Sequence, residues 1–130
     1  MENRKMINIQ ARTVVRKARK VGHTLKRGNW TTCAVGFLST QTLGYSYGSF
    51  NQIAERLGLP DPEEFGFKVI RAIERGFEDA TKNGDSRPTH LGYQSNFGYI
   101  DNKKELAYLR RYFNVGRNIA KQAGLPFCSY

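Results

Sequence analysis

Arg12, Arg16, Arg19, Lys20, Lys26 and Arg27 crowd the first quarter of the chain, and no acidic residue lies between Glu2 and Glu55. Guanidinium and ammonium groups at helical spacing neutralise phosphates and release condensed counterions, so the chemistry these residues suit is polyanion binding. Arg12, Arg16, Arg19, His23 and Lys26 step by 4, 3, 4 and 3 along the sequence, which draws a stripe on a helix of 3.6 residues per turn. Like charges at this spacing repel by a few tenths of a kcal/mol per pair (about 0.2–0.5). A solvated helix face normally mixes signs. A helix that keeps one sign therefore gains nothing structurally and points to a partner that offsets the repulsion. Arg110, Arg111, Arg117 and Lys121 near the other end extend this surface if the two terminal helices are neighbours.

The net charge of +10 is unevenly placed. Residues 1–27 carry +8, residues 61–86 carry −3, and residues 87–130 carry +5. Nucleic acid is the first partner such localised basicity suggests, and an acidic protein surface is the alternative. The sequence does not choose between DNA and RNA, and a homo-oligomer is open.

Covalent chemistry has little to work with. Cys33 stands at an expected helix start, where a thiolate can be favoured, but its neighbour Ala34 suits a buried cysteine better. Cys33, Cys128, His23 and His90 lack the paired spacing of a zinc site. No phosphate-binding glycine loop, nucleophile elbow or carboxylate pair is present, so no enzyme activity, catalytic residue, metal or cofactor is expected. The N-terminus is charged throughout and no run of about 18 apolar residues occurs, which predicts a cytoplasmic chain without a membrane span.

The elements that must position these residues read as helices around one core, in a single domain over residues 1–130. The first spans about Ile7 to Arg27, its apolar stripe being Ile7, Ala11, Val14, Ala18, Val21 and Leu25, with Gly28 as the stop. Asn29 or Thr31 caps a second helix through Cys33, Ala34, Phe37 and Leu38. A third covers about Phe50 to Leu57 and ends at Gly58. Asp61 caps a fourth, with Pro62 in its first turn. A long loop follows, with short β pieces at His90–Gln94 and Phe97–Ile100. Asp101 then caps a last helix from about Asn102 to Ala123, ended by Gly124. The expected fold is an all-α bundle of four to five helices, with long first and last helices and one long loop.

"FNQIAERLGLP" carries the spacing of a helix-turn-helix first helix and turn. The helix that should read DNA instead leads with Asp61, Glu63 and Glu64, which phosphates repel, so an ordinary α-α corner fits better. In "LGYSYGSF" and "LGYQSNFGY", Tyr45, Tyr47, Tyr93, Phe97 and Tyr99 alternate with small residues. Buried, they fill the core beneath the loops, the favoured reading; exposed, they stack on bases or anchor a partner.

"LKRGNWTTCAVGFL", followed by "IAERLGL" and "VIRAIERG", resembles small helical proteins of bacteriophages and their bacterial hosts, in which an aromatic precedes a Cys-x-x-Gly helix and a leucine-glycine-leucine turn. That resemblance covers about Leu25 to Gly76. It implies a phage-like origin and no particular activity; a phage-type interaction or virion structural protein that docks an acidic protein surface is the alternative to nucleic-acid binding.

Overall fold

The structure is a computed structural model that describes residues 9–29, 31–80, 92–94, 98–100 and 103–127. Five helices are present among them: α1 (Ala11–Lys20), α2 (Ala34–Leu43), α3 (Phe50–Arg56), α4 (Phe65–Glu78) and α5 (Lys103–Gln122). Between α4 and α5 lies an antiparallel hairpin of β1 (Gly92–Gln94) and β2 (Gly98–Ile100), in which Tyr93 pairs with Tyr99. The all-α class holds, and the two β pieces fall where expected.

α4 and α5 form the central pair. Their backbones touch at Gly76 and Gly116: a Cβ on Gly76 would collide with the Phe113 carbonyl, and one on Gly116 with the Ile73 carbonyl. Both positions therefore exclude any side chain, and the close approach lets Ile73, Phe77, Leu109, Tyr112 and Phe113 bury almost completely. Each such side chain contributes about 1.5–3 kcal/mol by leaving water. α3 packs on α4, α2 on α3 and α4, and α1 on α5. An ion pair crosses the α4–α5 seam, Lys68 Nζ to Glu105 Oε1 at 2.9 Å, with both side chains buried. Such a pair adds little net stability, but removing one partner strands the other charge.

Three boundaries differ from the sequence reading. The first helix stops at Lys20, not Arg27. Gly22 takes φ +73, its N–H reaches Arg19 O, and His23 N–H reaches Ala18 O at 2.8 Å. This is the paired C-terminal closure that glycine in the left-handed region permits. Val21 is consequently 62% exposed and Val15 takes a place in the core, while Leu25 buries from the loop beyond the helix. The 4-3-4-3-4 apolar steps ran past a real stop. The second helix is capped by Cys33, whose Sγ accepts from Gly36 N–H at 3.3 Å. Asn29 instead closes the turn before it, accepting from Thr31. The fourth helix begins at Phe65, four residues after Asp61. Asp61 itself sits at φ +51 and its carbonyl accepts from Glu64 and Gly66 N–H. The buried Phe65, rather than the proline, fixes where this helix starts.

The predicted cap Asp101, together with Trp30, His90, Phe97 and Cys128, lies outside the described residues.

Candidate nucleic-acid interface

α1 buries Ala11, Val14, Val15 and Ala18 and leaves Arg12, Arg16, Lys17, Arg19 and Lys20 exposed. At 100° per residue, Arg12, Arg16, Arg19 and Lys20 occupy an arc of about 100°, roughly opposite the buried stripe. Lys17, absent from the expected stripe, widens the arc on the side that faces α2. Among the described residues none of these five pairs with an acid.

The two terminal helices are neighbours. Arg19 Nη2 donates to Gln122 O at 3.2 Å, placing the end of α1 beside the last turn of α5, where Lys121 is exposed. Arg110 and Arg111 are also exposed on α5, about 16 Å up the helix from Lys121 at 1.5 Å per residue. Lys26 is exposed in the loop after α1.

Arg27 and Arg117 are placed differently. Arg27 Nε donates to Phe77 O at 2.8 Å and Nη1 to Pro126 O at 2.7 Å. Arg117 meets Asp79 at 3.2 Å, and its side chain is only 16% exposed. Both guanidinium groups stand over the Phe127 ring, at 5.2 and 4.6 Å from its centre. These two arginines therefore tie the loop after α1, the end of α4 and the C-terminal tail together. Among the expected phosphate contacts, these two are held from several sides within the fold, and Arg19 makes a single such contact, to Gln122 O. Nothing in the sequence around Arg117, which lies inside α5, marks it off from the others.

His23 does not sit on the charged face. Beyond the end of α1 it is half-buried, its ring tilted against Phe37 at 4.9 Å. Cys33 is a buried free thiol. Burial pushes its pKa above the ordinary value, and the nearby Glu78 and Glu74 push the same way. The hydrogen bond from Gly36 opposes this but does not prevail. A thiol so held is a core group and a helix cap, not a nucleophile poised at neutral pH.

The tyrosines of the α2–α3 loop are not core filler. Tyr47 is 72% exposed and Tyr45 36%, with ring centres 4.8 Å apart. Flanking glycines and serines were the only sequence signal of a loop that holds its aromatics outward.

No helix among the described residues is long and apolar enough to cross a membrane. The chain matches no protein-family model, and no curated protein or solved structure is significantly similar to it.

Proposed function

We propose that this protein is a small nucleic-acid-binding accessory protein that grips phosphates, largely without regard to sequence, through the exposed face of α1. Arg12, Arg16, Arg19 and Lys20 form the grip, Lys17 widens it, and Lys26 and Lys121 flank it. Arg110 and Arg111 extend it along α5. The observation that carries this reading is the contrast between cations. Lys68 and Arg117 each meet a carboxylate within the fold, whereas no described acid answers the α1 face. A one-signed face of this kind is the electrostatic footprint of a polyanion partner. An origin in a phage, with the protein working in the cytoplasm of a bacterial host, belongs to the same proposal and rests on the sequence resemblance.

The test is retention on DNA, RNA and heparin across a salt gradient. Binding should fall linearly with the logarithm of salt concentration, by about 0.9 per phosphate contact for duplex DNA. Failure to bind both DNA and RNA at about 50 mM salt overturns this reading, since non-specific electrostatic binding is strongest there. The basic face would then serve an acidic protein surface, as in a virion component.

A further inference from the structure

Ser39 is fully buried in α2. Its hydroxyl donates to Tyr45 O and accepts from Gly48 N–H at 2.9 Å, using both hydrogen-bonding roles of one side chain to hold one loop. Gly48 lies so flat on α2 that a Cβ there would collide with the Leu43 side chain and Ser39 Oγ. At the far end Ser49 and Gln52 form a reciprocal cap on α3. The loop over residues 44–49 is thus pinned near its start at Tyr45 and near its end at Gly48 and Ser49, yet it presents Tyr47 to solvent with Tyr45 against it. The backbone on both sides of Tyr47 is held while its ring, against Tyr45, stays in water.

We infer that the Tyr45–Tyr47 pair is a stacking platform for an unpaired base, so that the polyanion held by this protein is single-stranded nucleic acid. This rests on the nucleic-acid reading above and specifies its substrate. Area argues against a protein partner at the same spot. Besides the two tyrosines, only Val21 is a large exposed hydrophobic among the described residues. Two aromatics can bury roughly 300–500 Å², a small apolar centre for an interface whose sides each contribute approximately 800 Å². One base needs no more than a ring face. Beside Tyr45, a recess of about 330 Å³ is lined also by Leu43, Gln52, Glu55 and Arg56. With one acid and one base it carries no net charge, and π-face stacking requires none.

Lys17, at the edge of the basic face, lines a cleft that α1 shares with α2. This cleft, of about 290 Å³, runs between α1 and the α2–α3 pair, past Thr13 and Lys17 on one side and Gln41, Thr42 and Leu57 on the other. Leu43 and Arg56, the next residues along α2 and back along the chain from Leu57, line the recess. Phosphates would lie on the basic face while a base reaches Tyr47. A duplex cannot use the platform, because its bases remain stacked on each other.

The experiment compares binding of the full chain to a labelled oligothymidine of about 16 nucleotides and to a duplex of the same length. The variants are Tyr47→Ala, Tyr47→Phe and the Arg12→Glu/Arg16→Glu/Lys20→Glu triple. Tyr47→Ala should weaken single-strand binding roughly ten- to a hundredfold while leaving the salt slope unchanged, because a stack but no phosphate contact is lost. Duplex binding should stay as it was, and Tyr47→Phe should keep wild-type affinity. If Tyr47→Ala leaves single-strand affinity unchanged, or weakens single strand and duplex alike, the platform is overturned. The triple variant reports separately on the phosphate grip: if it collapses binding while Tyr47→Ala does not, the basic-face reading survives without the platform. If the wild type binds neither form, both fall together.

Discussion

Arg16 and Arg117 are the same residue type on two helices of one small molecule, and they do opposite work. Arg16 stands in solvent on α1 among Arg12, Lys17, Arg19 and Lys20. Arg117 lies at the edge of the core with Asp79 on one side and the Phe127 ring beneath it. Arg27, only seven residues from Lys20, belongs with Arg117, because it donates to two carbonyls and covers the same ring. What separates the two groups is not charge but the presence of an acceptor within the fold. Acids and free carbonyl ends collect around the ends of α4 and α5, and the arginines near them become ties. α1 presents its basic face where no described acid pairs with it, and Arg12 and Arg16 stay available while Arg19 gives one contact to Gln122 O.

The sharpest way to break that comparison is to reverse the exposed group. Arg12→Glu/Arg16→Glu/Lys20→Glu should lower nucleic-acid affinity roughly 10²- to 10³-fold near 0.1 M salt, at about 0.9 log unit per lost phosphate contact, and should flatten the salt slope by about three. The melting temperature should hold or rise slightly, since like-charge repulsion along the helix is relieved. Arg19 is left intact because it also ties α1 to Gln122. A sharp fall in melting temperature would mean that this face is buried in an oligomer.

Arg117→Ala should do the converse. It removes the guanidinium from Asp79, whose side chain is 2% exposed, and a broken buried pair costs about 3 kcal/mol. Urea denaturation should show that loss, while the folded fraction binds nucleic acid as the wild type does. Arg27→Ala should follow with about 2 kcal/mol, from two hydrogen bonds made by a charged donor in a half-buried place. Equal affinity losses in either variant and in the α1 triple would erase the distinction between ties and grip.

The smallest effect lies in the acids of the structural region. Burial raises the Glu74 pKa above its ordinary 4.5, against the opposing pull of Arg75 and Arg71. The folded state therefore binds this proton more tightly than the unfolded chain. Glu74 contributes stability below about pH 4.5, and that contribution is lost as pH rises through the folded value. Glu74→Gln should accordingly raise stability slightly at neutral pH and show no gain below about pH 4.5, read from melting curves across that range. A variant less stable at neutral pH would mean that the carboxylate charge is itself a tie for Arg75.

The legible parts of the fold were those written in local pattern. Gly58 and Gly124 end their helices as expected, with the following N–H groups closing back on the last turns. The inner face of α5, from Leu106 through Ala120, is the one its periodicity draws. Gly22 carried the same signal as Gly58 and Gly124. Val21 and Leu25 continue the apolar steps past it, but local glycine chemistry is stronger than two more residues in phase. For the candidate site, the α1 face could be read because one sign of charge at helical spacing needs no knowledge of neighbours. The Tyr45–Tyr47 pair could not, because nothing local distinguishes an aromatic that folds inward from one that is held outward.

By itself, then, the sequence determined the helical class, most of the turns that separate the helices, and the one-signed ridge on the first of them. These follow from dihedral preferences and periodicity within a few residues of each position. Only the tertiary structure decided which cations remain free to meet a partner. Arg27 and Arg117 are occupied because Phe77 O, Pro126 O, Asp79 and Phe127 arrive from segments far along the chain, and whether an acceptor arrives depends on how helices pack.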